Sequence, residues 1–184
     1  MLVVDAITDP LVGAYSDHFR SRFGRRHLFM YAAAIPLGVC MYLLFSPPDG
    51  ASTALLTGWL LTFTLLVRFA FTFFVIPWNA LAAEYSQDYV ERTSIITYRM
   101  LVGWTGGLLF FFLVFTFVFP GSAKYPAGQL DPRNYPAFAI ILGLLIPTWC
   151  LLTTHLTRRE IPYLLQPVKS TPRFRFSVLL RQIL

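Results

Sequence analysis

Long apolar runs separated by short polar clusters dominate this chain and restrict what it can become. Five such segments are legible: Met1 to about Ser16, Leu28–Phe45, about Ala54–Ala83, about Ser94–Phe119 and about Tyr135–Leu156. A helix crosses the apolar part of a bilayer with about 20 residues at 1.5 Å each, and the last four segments are long enough. Backbone N–H and C=O groups find no water there, so consecutive apolar runs of this length close their hydrogen bonds within helices. The predicted fold class is therefore all-α, a polytopic transmembrane helical bundle. The first segment is shorter and has a polar flank only on its C-terminal side, which reads as a span lacking its beginning.

The charges support this reading. Only 13% of the 184 residues are charged, against about a quarter in soluble domains. The net charge of +6 does not point to nucleic acid, because the basic residues lie between and after the apolar runs, where membrane orientation explains them. Arg20, Arg22, Arg25 and Arg26 fill the first loop, Ser46–Thr53 has no Lys or Arg, and six basic residues follow Leu156. The first loop and the tail are therefore cytoplasmic. Met1 enters an apolar run directly, with no charged region of a signal peptide before it. Cys40 and Cys150 stand far apart in apolar runs and form neither a metal motif nor a disulfide framework. His18, His27 and His155 lie near span ends and read as interfacial. No nucleophile–base pair, phosphate loop or metal cluster points to an enzyme.

The polar residues inside the spans carry the functional signal. Asp5 and Asp9 are four apart and share one helix face. Ionised carboxylates at membrane depth need a partner, and two on one face repel unless a cation or proton joins them. Pro10 cannot donate to the Ala6 carbonyl, which leaves an oxygen beside the two carboxylates. The plainer reading is that the pair neutralises a basic residue inside the bundle. In the third span Arg68, Thr72, Val75 and Asn79 follow one another at intervals of four, three and four, a single face. Such a stripe faces a cavity, or else Arg68 bridges an Asp. Arg99, with Tyr98 and Trp104 near it, suits a hydroxylated or anionic ligand; the alternative is a snorkelling interfacial Arg. Counted from the predicted span ends, Asp9 lies about 12 Å deep, Asp5 and Thr72 about 18 Å, Arg68 about 24 Å and Arg99 about 9 Å. All fall in one slab and can meet around one cavity.

These residues also resemble a known family. The run Asp5-Ala6-Ile7-Thr8-Asp9-Pro10-Leu11-Val12-Gly13 is similar to the second helix of the glycoside–pentoside–hexuronide:cation symporters, the melibiose permease group of the major facilitator superfamily. Gly13, Asp17, Gly24, Arg25 and Arg26 resemble the superfamily's loop between helices two and three, which takes part in conformational change. Ile76-Pro77-Trp78-Asn79-Ala80-Leu81-Ala82-Ala83-Glu84 resembles the end of helix four. Asp88-Tyr89, Glu91-Arg92-Thr93 and Tyr98-Arg99 resemble the loop and helix five that follow. The resemblance covers most of residues 5–104.

The resemblance implies twelve helices in two halves, with substrate and cation at the centre. It implies cation-coupled symport of a sugar or glycoside by alternating access, in the inner (plasma) membrane. Residues 1–157 then correspond to helices two to six, and 158–184 to part of a basic cytoplasmic central loop; helix one and the C-terminal half are missing. Asp5, Asp9 and Thr72, with Thr8 beside them, match the cation site; Arg99, Asn79, Trp78 and Tyr98 match the substrate side; Arg68 is a charge partner. No cofactor is implied beyond the coupling ion, Na+ or H+, and the partners are a small-molecule substrate and the lipid bilayer. Where melibiose permease carries an Asp on helix four, this chain has Val75, so a proton can stand in for Na+. A lipid transporter on the same fold, and a non-transporting scaffold or channel module, are the alternatives.

Overall fold

The computed structural model describes residues 8–13, 16, 26–86 and 88–163. It is helical throughout, with no strand among the described residues. Residues 8–13 form α1, followed by α2 (His27–Leu44), α3 (Thr53–Glu84), α4 (Tyr89–Leu113) and α5 (Tyr135–Thr157). Four of these helices are long and apolar enough to cross a membrane, as the sequence predicts. Asp5, Asp17, His18, Gly24, Arg25 and the tail beyond residue 163 lie outside the described residues.

The helix starts follow from local chemistry. Ser52 caps α3, its hydroxyl oxygen accepting from Leu55 N at 3.3 Å. Asp88 caps α4, accepting from Val90 N at 2.7 Å, while the Ser86 hydroxyl donates to Glu91 Oε2 at 2.6 Å. These oxygens satisfy donors that a helix start leaves open. The cap explains why α4 begins at Tyr89, five residues before the apolar run from which its start is predicted. Pro36, Pro77 and Pro147 all sit inside helices, which neighbouring helices make tolerable at membrane depth. At its far end α4 passes into a π-helical stretch, Val114–Val118.

Helix α2 lies at the centre, antiparallel to α3 on one side and α5 on the other. Its buried face is Met30, Ala33, Ala34 and Leu37, which join Ala70, Phe74, Leu81 and Cys150 in one cluster. Water is not the driving force between helices in lipid, so close packing of small residues is. Gly38 shows this directly: a methyl group on it would stand 2.6 Å from Pro147 Cγ and 2.8 Å from the Gly143 oxygen. The same α2–α3 pair is tied at its end by Trp59 Nε1, which donates to the Leu43 carbonyl at 2.7 Å. Beyond α2, Phe45, Phe119 and Phe138 form an aromatic plug, with centroids 4.9 Å (Phe45–Phe138) and 5.2 Å (Phe119–Phe138) apart.

The structure adds to two expectations. His27 stands at the end of a span, as predicted, but it is fully buried, 1% exposed, and its Nε2 lies 3.2 Å from Thr157 Oγ1. It links the start of α2 to the end of α5; the antiparallel crossing brings the two helix ends together. The polar stripe of α3 divides: Thr72 is 3% exposed while Arg68 and Asn79 are exposed. Eleven residues at 100° each bring the stripe back to within about 20° of its start, so the difference comes from which neighbours stand at each level and not from rotation around the helix.

Gly38→Ala is expected to destabilise the bundle by about 1–3 kcal/mol through overpacking, although Ala is the better helix former by about 1 kcal/mol. Gly58→Ala, at a position with open space around it, is expected to be neutral or stabilising. Reversible detergent unfolding of both variants measures this. Equal behaviour of the two would contradict the close α2–α5 approach.

Candidate substrate and cation sites

The last two turns of α3 and the first half of α4 enclose a cleft of about 500 Å³, lined by Trp78, Asn79 and Ala82 from α3 and by Arg92, Ile96, Arg99, Met100, Gly103 and Trp104 from α4. The α4 residues recur at three- and four-residue intervals, so one face of the helix supplies that wall. Arg99 is the centre. Its Nη2 donates a short hydrogen bond to Asn79 Oδ1, and its guanidinium lies over the Trp78 ring, 3.1 Å from the centroid. A planar guanidinium can stack on an indole and still direct its remaining N–H donors sideways. A lysine in this place would lose the stacking and the fixed fork.

Sequence spacing therefore leads to Arg99, Asn79 and Trp78, and the fold brings these three together. Tyr98 is different. It is 72% exposed and does not line the cleft, because one residue is a 100° step and Tyr98 falls on the opposite face from Ile96 and Met100. Arg92, Ile96, Met100 and Gly103 were not expected at the site. Their spacing from Arg99 along α4 is the signal that would have found them.

A second set of residues lies about two turns earlier along α3, beside α1. A methyl group on Gly13 would lie 3.6 Å from Ile76 Cγ2, so α1 passes beside α3 there. Successive spans alternate in direction, so α1 and α3 run the same way. One turn back from that contact, Asp9 comes level with Thr72. Asp9 is half-buried and Thr72 fully buried. Thr8 is half-buried on the same turn of α1. Three residues beyond Gly13, Ser16 is buried and donates to the Gly13 carbonyl at 2.9 Å, and Arg26 is buried. Arg68 is an exposed residue of α3 one turn before Thr72. Among the described residues no group of His, Cys, Asp and Glu is arranged to hold a metal ion.

The family model described as "MFS/sugar transport protein" matches residues 1–184, the whole chain. The chain belongs to this family. Its relatives agree. The "Inner membrane symporter YicJ" of Escherichia coli is 29% identical over 160 residues, 86% of this chain and 34% of the relative. The "Putative glycoside/cation symporter YagG" of the same organism is 32% identical over 106 residues, 58% of this chain and 23% of the relative. The "Sodium-dependent lysophosphatidylcholine symporter 1" of Xenopus tropicalis is 37% identical over 108 residues, 58% of this chain and 20% of the relative. The chain thus spans about a third of the length of YicJ and less of the other two. These relatives are transporters by name and not enzymes, and the chain is a multi-pass membrane chain of the same family.

Arg99→Ala removes both the stacking on Trp78 and the bond to Asn79. It is expected to cost about 1–2 kcal/mol in unfolding free energy. Arg92→Ala, at an exposed position whose side chain makes no hydrogen bond among the described residues, is expected to stay within about 0.5 kcal/mol. Detergent unfolding monitored by tryptophan fluorescence checks both; an Arg99 variant as stable as the Arg92 variant contradicts the α3–α4 tie.

Proposed function

We propose that this chain is part of a secondary active transporter that couples Na+ or H+ to the uptake of a sugar or glycoside by alternating access. The observation that carries the reading is the placement of two polar groups along α3. Buried Thr72 lies beside α1, in register with Asp9, and two turns further on Asn79 and Trp78 hold Arg99. A single rigid helix thus carries a candidate cation site and a substrate cleft two turns apart. A cation that neutralises carboxylates at membrane depth removes their mutual repulsion and draws α1 towards α3. Movement of α3 is felt at Arg99, so loading one site biases the other.

In this reading Asp5, one turn before Asp9, joins the cation site by its spacing alone, and Arg68 favours the ionised carboxylates. Residues 1–157 correspond to helices two to six and 158–184 to part of a basic central loop. Gly13, Asp17, Gly24, Arg25 and Arg26 form the loop whose rearrangement accompanies alternation. Val75 in place of an acidic residue leaves a proton as well suited to the pair as Na+. The name of YagG supports a glycoside and a cation; that of YicJ supports the inner membrane. A second reading, a lysolipid-like substrate, is favoured by the similarity to the Xenopus symporter.

The test is uptake by the full-length protein in proteoliposomes. Asp9→Asn and Asp5→Asn are each expected to abolish gradient-driven accumulation while leaving exchange of substrate across the membrane measurable. Separate Na+ and pH gradients identify the ion. Coupled accumulation that survives both substitutions sinks the cation assignment.

A further inference from the structure

Two neighbours engage the Trp78 ring. The Arg99 guanidinium lies over one face, 3.1 Å from the centroid. Phe74, one turn earlier on α3, lies at a centroid distance of 6.4 Å and an interplanar angle of 29°. A ligand ring can lie flat on the face that Arg99 covers only by expelling Arg99, which would cost the stacking and the hydrogen bond to Asn79 together. Across the cleft stands a second indole. Trp104 lines the same cavity from α4, is 74% exposed, and is engaged by no hydrogen bond or ring contact among the described residues.

We propose that Trp104, and not Trp78, is the platform on which a ring-bearing substrate stacks, and that Trp78 is a positioning residue that holds Arg99. The inference rests on the sugar reading of this cleft and assigns its parts. A pyranose ring has an apolar face of C–H groups and a rim of hydroxyls. The face meets the Trp104 indole, a large rigid surface that costs little conformational entropy to use. The rim meets the N–H donors of Arg99 not used by Asn79. Met100 and Ile96, also in the lining, exclude water beside the ring. The residue that confers preference for a ring is thus on α4, while the residue that fixes the polar donor is on α3, and a ring-bearing ligand bridges the two helices.

The experiment uses the full-length protein in nanodiscs. Binding of a methyl pyranoside panel is compared with binding of the corresponding alditols, which carry the hydroxyls without the ring. Trp104→Ala is expected to weaken pyranoside binding about 3- to 10-fold, the range of an aromatic contact, and to erase the preference for pyranoside over alditol. Trp104→Phe keeps most of that preference. Trp78→Phe leaves the preference intact and weakens both ligands alike. The reverse pattern, with the preference lost in Trp78→Phe and kept in Trp104→Ala, overturns the proposal. A second measurement needs no sugar. In variants retaining only Trp78 or only Trp104, acrylamide is expected to quench Trp104 several-fold more strongly; equal quenching of Trp78 overturns the proposal as well. If no pyranoside or alditol binds the wild-type protein, the sugar reading of the cleft fails, and the quenching still decides which indole is open.

Discussion

The close approach of α2 to both neighbours governs the rest of the bundle. In lipid, helices gain nothing from leaving water, so they associate where small residues let backbones come near. Ala33 and Ala34 supply that surface toward the core, and Gly38 meets Pro147 and Gly143 so tightly that one added methyl group would collide. With α2 held between α3 and α5, the rotation of α3 about its own axis is determined. Thr72 and Asn79 lie about 20° apart around α3, so what differs between them is the neighbour at each level: Thr72 is covered, while two turns further on Asn79 opens on the cleft.

Helix α4 contrasts with this core. None of its residues is buried, and it is attached at few points. In its first half it is tied to α3 by Arg99 on Trp78 and Asn79. Past its other end the π-helical stretch leads to Phe119, packed against Phe138. Gly103, Gly106 and Gly107 between them have open space around them. A helix held by one polar clamp and one aromatic plug can respond to what occupies the clamp. The alternating-access function proposed above needs that property of α4.

Much of the fold is legible in the sequence because the bilayer reduces the options to helices of spanning length. The ends of α3 and α5 fall within one residue of the apolar runs, and the start of α4 is displaced only because Asp88 and Ser86 build a cap in polar sequence. Arg99, Asn79 and Trp78 are legible as polar or amphipathic residues out of place in apolar surroundings. What is not legible depends on how helices cross. The burial of His27 against Thr157 needs the α2–α5 pairing, and the contact of Gly13 with Ile76 needs the placement of α1. The exclusion of Tyr98 from the cleft was open to helical spacing, but its adjacency to Arg99 in sequence obscured the 100° between them.

The alignment of Asp9 with Thr72 is the point on which the proposed cation coupling turns, and cross-linking measures it directly. In full-length protein with Cys40 and Cys150 replaced by Ser, cysteines are placed at positions 9 and 72, or at 9 and 79, and oxidised in the membrane. The 9/72 pair is expected to form a disulfide readily and the 9/79 pair to remain reduced, since α1 and α3 run in parallel with Gly13 beside Ile76. Efficient coupling of 9/79 with none at 9/72 would move the acidic residue away from the buried threonine and contradict a shared cation site.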